Sequence, residues 1–184
     1  DEFLCLVRVR KQLPALIVGP QSATRYLKAA LAPGADDEGV RQIDPAELDS
    51  VDLREYQAVF LCDAFPLAGQ AVLRLEEYTH NGGVVIVFPG DRAELSSYDD
   101  MRMLPLPPES VENIPVEIAA RPLRRIANQP GQIVNFNMSL PPGTVPTVAL
   151  KRIMRLGAMR ENAAVLITAG DDTPMLSGRA VGRG

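Results

Sequence analysis

The sequence has no tryptophan, a single histidine and only two cysteines in 184 residues. Each scarcity closes a class of chemistry. Cys5 and Cys62 cannot build a disulfide framework or a cysteine metal site. Both lie in apolar runs, where a free thiol behaves as a small hydrophobe. His80 has no second imidazole to share a metal with, so no metal is expected. The Gly-x-Gly-x-x-Gly and Walker patterns are absent, and no cofactor is expected. No apolar run approaches the roughly 20 residues that cross a bilayer. The opening DEFLCLVRVR is acidic and then alternating, unlike a signal peptide. This segment is therefore not expected to insert into a membrane. Basic blocks are also missing, and the formal net charge is −4. Nucleic acid is not an expected partner.

What is present is an ordinary globular composition, 46% hydrophobic and 23% charged, long enough to bury a substantial core. Residues 3–9 read as a strand. Residues 13–18, LPALIV, form a second apolar run that ends at Gly19-Pro20. A continuous apolar run between turn residues fits a strand buried on both faces. Ser22 is placed to cap a helix. Ala23, Tyr26, Leu27, Ala30 and Leu31 then give it one apolar face, and Pro33-Gly34 ends it. Val40–Ile43 reads as a short strand. Asp44-Pro45 reads as a cap and first helical residue, opening one turn through Leu48. Ala58–Cys62 is again fully apolar. A helix is predicted from about Ala68 to His80, with Ala71, Val72, Leu75, Tyr78 and Thr79 inward, stopped by Asn81-Gly82-Gly83. Val84–Phe88 follows as a central buried strand. Alternation of strand and helix predicts a parallel sheet covered on both faces, a three-layer α/β architecture.

The second half reads differently. Sixteen prolines are many for this length, and they concentrate from Pro105 to Pro146. Residues 105–115 read as irregular. Ile114–Ile118 and Gln132–Phe136 read as short strands, and residues 145–157 are ambiguous between helix and strand. Ala163–Thr168, the turn Gly170-Asp171-Asp172-Thr173 and Met175–Val181 predict a hairpin. The expectation is a single domain over 1–184, with an α/β core at 1–100. A β-rich elaboration at 101–184 is expected to complete the sheet. The chain does not begin with Met and ends on a Gly-Arg-Gly turn signal, MLSGRAVGRG, which predicts a domain cut from a longer polypeptide.

The stretches LPALIVGPQSATRYLKAAL and YQAVFLCDAFPLAGQAVLRLEEYTHNGGVVIVFPGD, with the ending AAVLITAGDDTPMLSGRAVGRG, carry a resemblance. They are similar to the class I glutamine amidotransferase-like, flavodoxin-like fold. More narrowly, they resemble the amidotransferase-like domain of large bacterial membrane-anchored proteins. Those proteins often also carry a von Willebrand factor A domain and an aerotolerance-regulator-type region. The resemblance implies a domain outside the bilayer within a membrane-anchored protein, with other domains of the parent chain or protein partners as its ligands. Active amidotransferases place a cysteine on a Gly-x-Cys-x-Gly turn after a strand, with a distant His-x-Glu pair. Here the corresponding tip is Phe88-Pro89-Gly90-Asp91. It has no nucleophile, and Pro89 has no N–H to offer an oxyanion. His80 precedes this strand and lacks the His-x-Glu context. The resemblance therefore implies the fold without its catalytic residues.

Ligands of open parallel sheets bind at the carboxyl ends of the strands. Gly19, Ser22, Cys62, Asp63, Gly90 and Asp91 are the candidate binding residues there. Two kinds of function compete. A non-catalytic binding or interaction module predicts a shallow rim filled by Pro20, Phe65, Pro66 and Pro89. A hydrolase or transferase predicts a pocket holding a Cys62 thiolate beside a base, or an acidic rim. A sugar or nucleotide sensor is a third possibility on the same scaffold. Arg121, Arg124, Arg125, Lys151, Arg152 and Arg155 make the second half locally basic. They read as a solvated surface rather than an interaction face.

Overall fold

The computed structural model describes residues 14–34, 39–90, 94–115, 120–125, 147–170 and 172–182. The strand expected at residues 3–9 and that expected at Gln132–Phe136 lie outside them. The chain divides into two compact units, Asp1–Ala93 and Glu94–Gly184, a boundary slightly earlier than the one expected after residue 100.

The first unit runs β1 (Ala15–Val18), α1 (Gln21–Leu31), β2 (Val40–Ile43), 3-10 helices at Pro45–Ser50 and Leu53–Glu55, β3 (Ala58–Cys62), α2 (Gly69–His80) and β4 (Val84–Phe88). The strands form a parallel sheet in the order β2-β1-β3-β4. The chain leaves β1 toward one edge and later leaves β3 toward the other. Right-handed crossovers then put α1 on one face, and α2 with the 3-10 helices on the opposite one. The packing agrees. Leu27 and Leu31 of α1 pack on Ala15, Ile17, Phe60 and Cys62. The alternate residues Leu16, Val18, Val59 and Leu61 point the other way and are fully buried. On that side Arg74 of α2 donates to the Leu48 carbonyl at 2.9 Å and to the Val51 carbonyl, tying α2 to the first 3-10 helix. Burial on both faces is the reason these strands read as continuous apolar runs.

The helix α2 has the inward face expected of it: Ala71, Val72, Leu75, Tyr78 and Thr79 are buried. Its end is equally specific. Gly82 takes φ 98°, and a Cβ at Gly83 would collide with the Tyr78 ring. The ring is held there by its hydroxyl, which donates to the Tyr56 carbonyl at 3.1 Å.

In α1 the structure corrects the sequence reading. The N-cap position is Pro20, with no side-chain cap; Ser22 is the second helical residue and is exposed. The inward face is Thr24, Leu27 and Leu31, while Tyr26 is 73% exposed. Thr24 can be buried because its hydroxyl donates to the Pro20 carbonyl one turn back, at 3.1 Å. Tyr26 stays out because its ring lies under the Arg25 guanidinium, 4.4 Å from centroid to carbon. The strand β4 is also corrected. Among the described residues it is an edge strand rather than a central one, with Val84 49% and Phe88 46% exposed. An edge strand is flanked by a neighbour on one side only, and its apolar sequence does not reveal this.

The second unit holds a 3-10 helix at Leu95–Tyr98 and strands β5 (Pro108–Asn113), β6 (Ala120–Arg125), β7 (Thr147–Ala149), β8 (Arg152–Leu156), β9 (Ala163–Ala169) and β10 (Thr173–Arg179). All pairings among them are antiparallel, in sheets ordered β10-β9-β6-β7 and β5-β8. The hairpin β9–β10 forms as expected. Its turn carries Gly170 at φ 58° and Asp172 at φ 65°. So short a turn can only join antiparallel strands, since a parallel partner needs a long crossover. The expectation that 101–184 completes the parallel sheet is thus corrected among the described residues: these strands make sheets of their own. Residues 145–157 resolve into β7 and β8. A strand starts at Pro108 within the stretch expected to be irregular and ends at Asn113; of the strand expected at Ile114–Ile118, residues 116–118 lie outside the described residues. Ile114 instead enters a small core with Leu150, Ile153 and Ala169, flanked by Leu123 and Val148.

Candidate functional site

The carboxyl ends of β1 and β3 mark the point where the chain's crossovers part to opposite edges. In parallel sheets this is where a crevice opens. Gly19 follows β1 directly. Its N–H bonds the Ile43 carbonyl at 3.1 Å, its φ is 149°, and a Cβ there would collide with the Cys62 carbonyl. Glycine is needed because the β1 and β3 tips run this close. Asp63 follows β3 in the left-handed region, φ 49°, a conformation that Asp tolerates better than most residues. Its N–H bonds the Phe88 carbonyl at 3.1 Å. Its side chain lies against Gly90, where any Cβ would collide with the Asp63 carboxylate. The chain then passes a cis Phe65–Pro66 bond.

These turns enclose a shallow depression of about 270 Å³ lined by Pro20, Asp44, Pro45, Asp63, Ala64, Phe65 and Pro66. Its wall is mostly proline, phenylalanine and alanine, with two carboxylates, Asp44 and Asp63. Sequence reasoning placed Asp63 here and named Pro20, Phe65 and Pro66 as rim fillers. It missed Asp44 and Pro45, which had been read only as a helix start. The signal was available: they follow β2 as Gly19 follows β1, and its tip adjoins the same crevice.

The remaining candidates separate. Gly90 meets Asp63 but is not part of the depression's lining. Ser22 lies on the exposed side of α1. Asp91 lies outside the described residues. Cys62 turns inward: it is 3% exposed, with its side chain among Ala15, Ile17 and Phe60 beneath α1. Burial pushes its thiol up to about 11. A neutral, enclosed thiol is a poor nucleophile at neutral pH. His80 is exposed, and its Nδ1 lies 2.8 Å from the Glu76 carbonyl one turn back. Among the described residues no cluster of three or more His, Cys, Asp or Glu could hold a metal ion. Nor is any helix there long and apolar enough to cross a membrane.

No family model and no curated protein matches the chain. Solved structures do match in fold. A catalytic mutant of Gan42B, a GH42 β-galactosidase from G. stearothermophilus, aligns over 95% of this chain and 26% of its own, at TM-score 0.57 and 13% identity. A β-galactosidase from Rahnella sp. R3 aligns over 95% of this chain and 28% of its own, at TM-score 0.59 and 15% identity. The chain therefore spans about a quarter of the length of these enzymes. At such identities the likeness is one of fold: an α/β unit on a four-stranded parallel sheet, followed by antiparallel β structure.

Proposed function

We propose that this chain is a non-catalytic, amidotransferase-like binding or protein-interaction module of a larger, membrane-associated bacterial protein. One observation carries the proposal. At the strand tips, where active relatives of the fold keep a nucleophile, this chain has Phe88-Pro89-Gly90, and the thiol that ends the neighbouring strand, Cys62, is buried and neutral. The crevice beside it is a shallow depression walled by Pro20, Pro45, Phe65 and Pro66. That is the surface expected of a module. The fold likeness to a quarter-length portion of much larger enzymes supports a part within a larger chain. Membrane association and a bacterial source rest on the sequence resemblance alone.

The test is thiol alkylation of the folded Cys5→Ser protein at neutral pH, run beside a glutaminase and ester-hydrolysis assay. Cys62 should react only as the protein unfolds, and no turnover should be seen. Rapid alkylation in the folded state, or turnover abolished by Cys62→Ala, overturns the proposal. A second reading, a hydrolase with an acidic rim, is favoured only by the joint presence of Asp44 and Asp63 in the depression. Turnover lost in both Asp44→Asn and Asp63→Asn would replace the module with that enzyme.

A further inference from the structure

At the amino ends of β3 and β4, far along the strands from the tips just described, the first unit has a larger groove of about 600 Å³. It lies between the 3-10 helix Leu53–Glu55 and the carboxyl end of α2, with Val84 at its lip. Its volume falls in the range of small-molecule sites, roughly 300–1,000 Å³.

The polar groups of this groove select among ligand classes. Two cations line it, Arg54 and Arg74, balanced by two carboxylates, Asp52 and Glu77. Both cations are already engaged. Arg54 makes a paired contact with Asp52, Nε to Oδ1 and Nη2 to Oδ2, each at 2.9 Å. Arg74 donates to the Leu48 and Val51 carbonyls. An anion would compete with these partners, and a groove with balanced charges draws neither sign of ion strongly. What remains is a set of uncharged or accepting groups. Gln57, Asn81 and Glu77 line the groove without a side-chain hydrogen bond or ion pair among the described residues. Two carboxamides, each able to donate and accept, and one carboxylate acceptor match neighbouring hydroxyl groups. The half-buried Tyr56 adds aromatic surface against which the C–H face of a ring can lie, while Tyr78 is buried against Gly83 and only closes the floor.

We infer that this groove is a binding site for a neutral saccharide, separate from the strand-tip depression and independent of the function proposed for it. The site takes hydroxyl groups through Gln57, Glu77 and Asn81, and its balanced charge gives a phosphate no advantage over a neutral sugar.

The test is a two-dimensional NMR titration of the whole chain with glucose, N-acetylglucosamine and glucose 6-phosphate. At least one neutral sugar should give saturable shifts in the amides of residues 52–57 and 77–84, with glucose 6-phosphate binding no more tightly. Glu77→Gln and Asn81→Ala should each weaken binding about tenfold. Both side chains are exposed, so thermal melts of the variants should match the parent and exclude a folding defect. Absence of a saturable shift, shifts confined to the strand tips, unchanged affinity in both variants, or preference for the phosphorylated sugar would each overturn the assignment.

Discussion

In the parallel unit the side chains of the central strands, β1 and β3, are buried on both faces. Leu16, Ile17, Val18, Val59 and Leu61 are each fully enclosed. Among the described residues of the antiparallel unit Ile114, Leu150, Ile153 and Ala169 form a buried cluster, but no large apolar strand side chain is fully enclosed, and much of β8 and β10 is half-exposed. There two arginines hold the backbone, as Arg74 does in the parallel unit. Arg160 donates through one nitrogen to the carbonyls of Met101 at 3.1 Å and Arg102 at 2.5 Å. Arg179 donates to Arg102 at 2.6 Å and to Glu161 at 3.0 Å. A doubly covered sheet gains its stability from apolar area. A sheet with a thin core leans more on charged donors that satisfy loop carbonyls.

The contrast is measurable by chemical denaturation. Leu61→Ala should cost about 2–5 kcal/mol, as large-to-small changes in a well-packed core do. Ile153→Ala should fall at the lower end of that range, because its surroundings are thinner. A larger loss at Ile153 would break the comparison. Next in size is Gly19→Ala, which forces a side chain onto the Cys62 carbonyl in a left-handed conformation and should cost about 1–3 kcal/mol. Arg160→Ala should follow at about 1.5 kcal/mol, with faster amide exchange around residues 101–104 as its specific signature. If no exchange change appears, the arginine clamp does not hold that loop. The smallest effect separates two neighbours on α1. Thr24→Ala should cost about 1 kcal/mol through its lost bond and packing, whereas Ser22→Ala should stay within about 0.5 kcal/mol. The reverse order would restore Ser22 as the helix cap.

How far the fold could be read from the sequence follows the same division. Continuous apolar runs and the capped periodicity of α2 made the parallel unit legible. α1 was misread because two residues behave against type. Tyr26 has an apolar body but sits in water beside Arg25, and Thr24 is polar but bonds within its own helix. In the second unit β9–β10 was legible from its Gly-Asp turn. β5 was not, because PESVEN starts with proline and its single large apolar residue, Val111, is 39% exposed. At the candidate site, strand ends predicted where Gly19, Cys62 and Asp63 would stand. They could not predict which way each side chain turns. Alternation along β3 sends Cys62 beneath α1, and the left-handed backbone at Asp63 swings its carboxylate across to Gly90.

That last contact limits how this scaffold could be re-engineered for catalysis. The space above the β4 tip is occupied by the Asp63 carboxylate, so any side chain installed at Gly90 would collide with it, and a thiol or hydroxyl there would sit beside a negative group. The carboxylate would raise the newcomer's pKa and block the approach of an acyl carbon. A nucleophile could be seated at this tip only by changing both positions together, and a library varying one site at a time would miss the pair.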